Sequence, residues 1–283
     1  MRDGHGGREL GGARVELLAE TALDSRCPLL SAVSTVASMS RPSSHRGAQL
    51  PYRTLAGVVP CPKGWLVASA KLQGITMAPE DPQVFSSFLE VLDYKPAFQV
   101  VALFCTVGLS DGPRAGGRQC DRDARRLLRW PRSGAIVSAP AHDALMSSTY
   151  TEAAAANGGK LSGVGWTLLK RVAEVNAAVA PYWQRTVFEV HPELSFYQLN
   201  EDRPLQFSKH KAAGRQERRA LLEARLPGID RILDARIARV SSAHLLDATA
   251  CLWTARRIVS RSINRVPEDP EWDSRGLRME IVR

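Results

Sequence analysis

Between Thr186 and Asn200 the chain reads TVFEVHPELSFYQLN, with two acids flanking a His-Pro step. The alternation predicts a short strand on which Val187, Glu189 and His191 leave one face and Phe188 and Val190 the other. Pro192 then breaks the strand and opens one or two turns of helix. An acid and an imidazole thus leave one face at a strand end, where α/β proteins tend to place their chemistry. Glu193 falls in the first helical turn, where a carboxylate also offsets the helix dipole. A second pair, His244 and Asp247, sits three residues apart on one face of a helix that is otherwise apolar nearly all round. A buried helix has little reason to carry an acid and an imidazole. Acids converging from separate elements are what hard divalent ions such as Mg²⁺ or Mn²⁺ require. A thiol at Cys105 beside His191 or His244 would instead make a nucleophile and base, although Cys105 reads more simply as a buried strand residue.

These residues need a scaffold, and the pattern predicts one. LAGVV from Leu55 is a short buried strand, closed by the dense turn chemistry of Pro60-Cys61-Pro62-Lys63-Gly64. Trp65 to Leu72 alternates as an antiparallel partner would, and Gly74 to Met77 is a third strand. Asp81-Pro82 is expected to open a helix running to about Asp93. Phe98 to Val107 is apolar without alternation, the mark of a central strand covered on both faces. Helices are expected over Ala141 to Ala156 and Ser162 to Ala180, then over Lys209 to Arg225, Pro227 to Arg239 and Ala243 to Arg261. Ser241 or Ser242 caps the last of these. This order describes an α/β fold: a mixed central sheet with an antiparallel opening hairpin, helices on both faces and helical insertions. Neither G-x-G-x-x-G after the first strand nor a Walker loop is present, so a plain dinucleotide or nucleotide fold is not indicated.

Residues 1–50 differ in composition, being rich in Gly, Ser and Arg with little periodicity, and read as a disordered or mis-called N-terminal extension. Residues 53–262 form the expected domain, and 263–283 a Pro- and charge-rich tail that reads as loose. Lys and Arg number 38 against 29 Asp and Glu, a balance of +9 that favours an anionic partner such as nucleic acid. The basic run CDRDARRLLRWPR could lie along a phosphate backbone or form a solvated helix face. The five cysteines are scattered, with no C-x-x-C pair, so a zinc site or disulfide framework is not suggested and a reducing cytoplasm fits. No apolar run is long enough to span a bilayer, so no membrane association is expected.

Four segments taken in order are more specific. GVVPCPKGWLVA, VALFCTVGLSD with RQCDRDARRLL, VFEVHPELSFYQLN with PLQFSKHKAAGRQER, and HLLDATACLWTARRI together resemble a widespread bacterial family of unknown function, described as predicted RNase H-like nucleases. The resemblance covers about residues 53 to 262. It implies an RNase H-like fold and metal-dependent phosphodiester hydrolysis of DNA or RNA. Such a site holds two Mg²⁺ or Mn²⁺ ions roughly 3.5–4 Å apart, one activating water and one stabilising the leaving oxygen. By the resemblance, Glu189 is the acid of the E-V-x-P-E strand and Glu193 the second acid of that motif. Asp247 is the acid of the final helix, and His244, one turn earlier, is a ligand or proton shuttle. Glu189, Asp247 and Glu193 would then be the metal ligands.

Two expected carboxylates are not there. The aspartate of the family's opening G-V-D-G-like run falls on Val59, and that of the I-D-x-P-x-G-L-like run falls on Phe104, with Thr106 in place of the proline. Asp111 lies too far along the loop to be a sure substitute. Neither Val nor Phe binds a metal, and Phe104 is expected to fill the site. Three functions therefore follow: an RNase H-like nuclease using Mg²⁺ or Mn²⁺; a catalytically impaired, non-catalytic member that binds nucleic acid or a protein; and a thiol enzyme built on Cys105.

Overall fold

The computed structural model describes residues 51–283, and the expectation of a disordered extension over residues 1–50 lies outside them. Strands β1 (Arg53–Cys61) and β2 (Gly64–Gln73) form a hairpin closed by Pro62 and Lys63, in register from Arg53 opposite Leu72 to Cys61 opposite Gly64. β3 (Thr76–Pro79) and β4 (Gln83–Phe85) both pair with the outer side of β2, so they act as two halves of one interrupted edge. Ser87 caps the short helix α1 (Phe88–Leu92), its hydroxyl accepting the Glu90 N–H. β5 (Val100–Leu103) then enters parallel to β1, and β6 (Val187–Glu189) enters parallel to β5. The resulting order is β3-β2-β1-β5-β6, a mixed sheet with an antiparallel half and a parallel half.

The helix expected from Asp81 is corrected by this arrangement. Residues 83–85 pair with Trp65, Leu66 and Val67, because the edge of β2 offers backbone partners there. Only one turn of helix remains, seated by Phe88 against Trp65 at 5.2 Å between ring centres.

Helix α2 (Gln119–Arg132) breaks at Arg129 and Trp130, immediately before Pro131. A single-turn 3₁₀ segment, His142–Met146, and α3 (Tyr150–Ala156) replace the one helix expected over Ala141 to Ala156. Thr149 caps the second of these and splits the run. α4 (Gly163–Ala178) is capped by Ser162, and α5 (Pro192–Leu199) follows β6 directly. α6 (Ala212–Glu223) and α7 (Asp230–Leu233) lead to α8 (Ser242–Val259), which Ser241 caps. α7 is far shorter than the helix expected from Pro227 to Arg239. Gly228 at φ +78° starts it late and Arg239 at φ +66° ends the segment.

The tail is a second correction. β7 (Arg265–Trp272) and β8 (Arg278–Val282) form an antiparallel hairpin, and Val282 bridges to Val190 beside the end of β6. Met279, Ile281 and Val282 are buried, and the charges that suggested a loose segment are largely paired, Arg265 and Arg278 on the buried Glu280. No helix among the described residues is long and apolar enough to cross a membrane.

Alternation sorts the central strands into two cores. Leu55, Val59, Leu66, Ala68, Ala102 and Val190 face α8, α6 and α5, while Ala56, Val58, Val67, Val101, Leu103 and Val187 face α1 and α4. Because both faces are covered, these strands read as unbroken apolar runs. Gly57 fixes the closest approach. A Cβ there would stand 2.1 Å from the Ala248 carbonyl oxygen and 2.3 Å from the Leu252 nitrogen, so only glycine lets α8 lie on β1.

Candidate functional site

The predicted site residues fall on two sides of the sheet. Val58, Leu103 and Glu189 stand side by side across β1, β5 and β6. Glu189 therefore shares the parity of Val187 and Leu103, on the face that α4 covers, whereas Val59, Phe104 and Val190 point toward α8. Asp247 belongs to α8. The strand acid and the helix acid thus work in different environments.

Glu189 is held by Arg118. The guanidinium donates to both carboxylate oxygens, at 2.5 and 2.8 Å, and the Val107 N–H donates to one of them at 2.7 Å. On its other side Arg118 meets Asp121 at 2.8 Å, and its Nη1 also donates to the carbonyls of Val107 and Gly108. Asp121 accepts the backbone N–H groups of Arg118 and Ala139. All three side chains are buried. Burial pushes the Glu189 carboxyl above its ordinary range, and Arg118 opposes the shift. Asp121 carries the same desolvation cost, but Arg118 outweighs it and holds that carboxyl low. The triad ties the β5–α2 loop and the start of α2 to the end of β6. Three hydrogen bonds already fall on Glu189, one on Oε1 and two on Oε2, out of about four lone-pair sites that a carboxylate offers.

A second group lies on the α8 side. Lys209 Nζ donates to Asp247 Oδ2 at 2.7 Å, while Asp247 Oδ1 is buried with no hydrogen-bond partner. Arg218 Nη2 contacts both oxygens of Glu193, at 2.7 and 2.9 Å, and its guanidinium lies 5.2 Å from the Phe196 ring centre. Burial raises the Asp247 carboxyl, against Lys209 and with a further upward push from Glu193. Gly214 makes the Lys209 contact possible, because a Cβ on it would stand 2.1 Å from the Ser208 carbonyl oxygen. The loop can therefore lie on α6 and deliver Lys209 to α8.

Both histidines act first as helix caps. His191 Nδ1 accepts the Glu193 N–H at 3.2 Å at the head of α5, and its ring meets Phe104 edge-on at 4.8 Å. Burial pushes its pKa down to about 4. His244 Nδ1 accepts the Ser241 N–H at 3.1 Å at the head of α8, and desolvation lowers its pKa despite Asp247. A neutral imidazole at both positions follows at physiological pH.

The donor set does not fit a pair of divalent ions. Among the described residues no group of three His, Cys, Asp or Glu side chains is placed to share an ion. Glu189, Glu193 and Asp247 each already have a cation of their own. Val59 is 1% exposed and apolar, and Phe104 packs on His191 where an acid was expected. A cavity of about 70 Å³ remains between Phe104, Cys105, Glu189 and His191. That is well below the roughly 300–1,000 Å³ of sites that enclose small organic ligands. The Cys105 thiol is raised far above its ordinary value by desolvation and then by Glu189, the reverse of an activated nucleophile. Asp111 accepts a hydrogen bond from Ser274, away from the strand ends.

Arg118, Asp121, Arg218 and Lys209 are the residues that motif reading missed. A buried acid implies a buried cation, but with 38 Lys and Arg in the chain the pattern does not say which.

A mixed α/β domain whose buried acids Glu189, Glu193 and Asp247 are each paired with a cation of their own is what fold and site define. The family model described as protein of unknown function (DUF429) matches residues 57–272, and the chain belongs to that family. Comparison with curated proteins and comparison with solved structures each returned no match.

Proposed function

We propose that this protein is a non-catalytic member of an RNase H-like group, acting by binding nucleic acid rather than by cutting it. The strand order, an antiparallel three-strand meander followed by two strands parallel to β1, supports the RNase H-like reading. The observation that carries the non-catalytic half is the pairing of each candidate acid: Glu189 with Arg118, Glu193 with Arg218 and Asp247 with Lys209. With Val59 and Phe104 in the remaining positions, two-metal chemistry lacks its oxygen donors. The formal charge of +9 supplies the attraction for an anionic polymer. The reading places the protein in a reducing cytoplasm, in keeping with the four described cysteines being free thiols.

One observation favours the runner-up, a metal-dependent nuclease: the orphaned Oδ1 of Asp247 is an oxygen that a cation could claim. Incubation of labelled DNA and RNA with Mg²⁺ or Mn²⁺ separates the two. The proposal expects bound, intact substrate. Cleavage that disappears in Asp247→Asn or Glu193→Gln would establish the nuclease instead.

A further inference from the structure

At the far end of the sheet from the acidic strand ends lies a groove of about 1030 Å³. Its described walls are the start of β1 with Arg53, the β2–β3 turn with Ile75, the segment after α6 with Arg225, and the last turns of α8 with Trp253, Arg256 and Arg257. Four arginines line it, and no Asp or Glu does among the described residues. We infer that this groove is a phosphate-binding site, which on the nucleic-acid reading above seats the phosphodiester backbone of a single strand.

Three observations support the assignment. First, none of the four arginines is ion-paired among the described residues, although Arg118, Arg218 and Arg219 elsewhere each hold at least one carboxylate. Arg256 donates only to the carbonyls of Arg225 and Ile75. Its place at the end of α8 suits the helix dipole, so it is explained structurally. Arg225, exposed just past the end of α6, has the same explanation, but it does not extend to Arg53, which is exposed at the start of β1. Second, Arg257 is unsatisfied. Its Nε is buried without a hydrogen-bond partner, and its guanidinium is held 4.9 Å from the Trp253 ring centre. The Gln198 amide oxygen accepts one of its Nη2 hydrogens at 2.8 Å. Desolvation and then the neighbouring Arg283 disfavour its charge, and Asp202 only partly opposes them, a cost that a bound anion would offset. Third, the guanidinium fork matches phosphate oxygens. Spread over separate walls of one groove, Arg53, Arg225 and Arg257 suit a chain of phosphates better than a single small ion.

The test is titration of the full chain with a fluorescent single-stranded oligonucleotide, followed by anisotropy, and separately with inorganic pyrophosphate, followed by calorimetry. The variants are Arg53→Glu, Arg225→Glu and Arg257→Gln. Lys170→Glu, with an exposed side chain on α4 over the opposite face of the sheet, is the control for net charge. Circular dichroism checks whether each variant is folded, and the two exposed positions keep the test open if Arg257→Gln is not. Each groove variant is expected to weaken oligonucleotide binding about tenfold and to lower the salt slope by about 0.7, while the control changes little. Oligonucleotide binding that all three variants leave intact overturns the groove and spares the nucleic-acid reading. Pyrophosphate binding that needs the arginines, without oligonucleotide binding, supports the groove and removes that reading. Absence of both overturns both.

Discussion

Arg118 is where the chemistry expected of Glu189 is turned into structure. A guanidinium shared between two buried carboxylates costs much desolvation, and the network is stable only while all three members are present. Arg118→Met should therefore destabilise the protein by about 3–5 kcal/mol in urea unfolding. A change below about 1 kcal/mol would show that the triad is incidental. His191 gives a pH signature. Its folded pKa of about 4 lies below the ordinary 6.5, so the unfolded chain takes up the proton first. The stability it contributes is complete above 6.5 and is lost as pH falls toward 4. Glu193 opposes that depression, while burial and Lys209 produce it. Relative to His191→Asn, which keeps an acceptor for the Glu193 N–H, the wild type should lose roughly 2–3 kcal/mol between pH 7 and pH 4.5. Parallel pH curves for the two proteins would contradict the buried neutral imidazole. At this scale the sequence was informative about which residues are unusual and silent about what they do. Glu189, Glu193 and Asp247 stand out because acids do not belong in buried surroundings. Their partners do not, because Arg118, Lys209 and Arg218 look like any other basic residue until the fold brings them within 3 Å.

Among the elements, α8 and the hairpin at the C-terminus do most to hold the parallel strand ends in place. Gly57 lets α8 touch β1, so Gly57→Ala should cost about 3 kcal/mol or more, read as a lowered urea midpoint. A fully stable variant would mean that α8 can stand off the sheet. Removing residues 263–283 should also destabilise the domain, since Ile281 packs with α2 and Leu194 and Val282 bridges Val190. An unchanged thermal midpoint after truncation would show the hairpin to be an ornament. The strands β1 and β5 were legible because apolar residues on both faces leave an unbroken run, and β2 was legible from its alternation. The edge half β4 was not, since Asp81-Pro82 is as good a helix start as a strand break and only the open edge of β2 decides between them. The tail misled for a related reason. Its charges read as solvated, but Glu280 is buried with Arg265 and Arg278 around it.

For the whole molecule, the mixed sheet was readable, whereas an expectation about function came only from resemblance, with Val59 and Phe104 standing where that resemblance calls for acids. The paired acids Glu189, Glu193 and Asp247 hold the strand ends together, and the arginine-lined groove lies at the other end of the sheet. Restoring acids by Val59→Asp with Phe104→Asp is expected to create metal affinity in any folded product, since both positions face the α8 side that carries Asp247. In the natural protein Glu189, Glu193 and Asp247 are held by cations of their own, and equilibrium titration with Mn²⁺ shows whether they leave room for a metal ion. No saturable binding is expected into the millimolar range. A stoichiometric micromolar site that is lost in Asp247→Asn would contradict it.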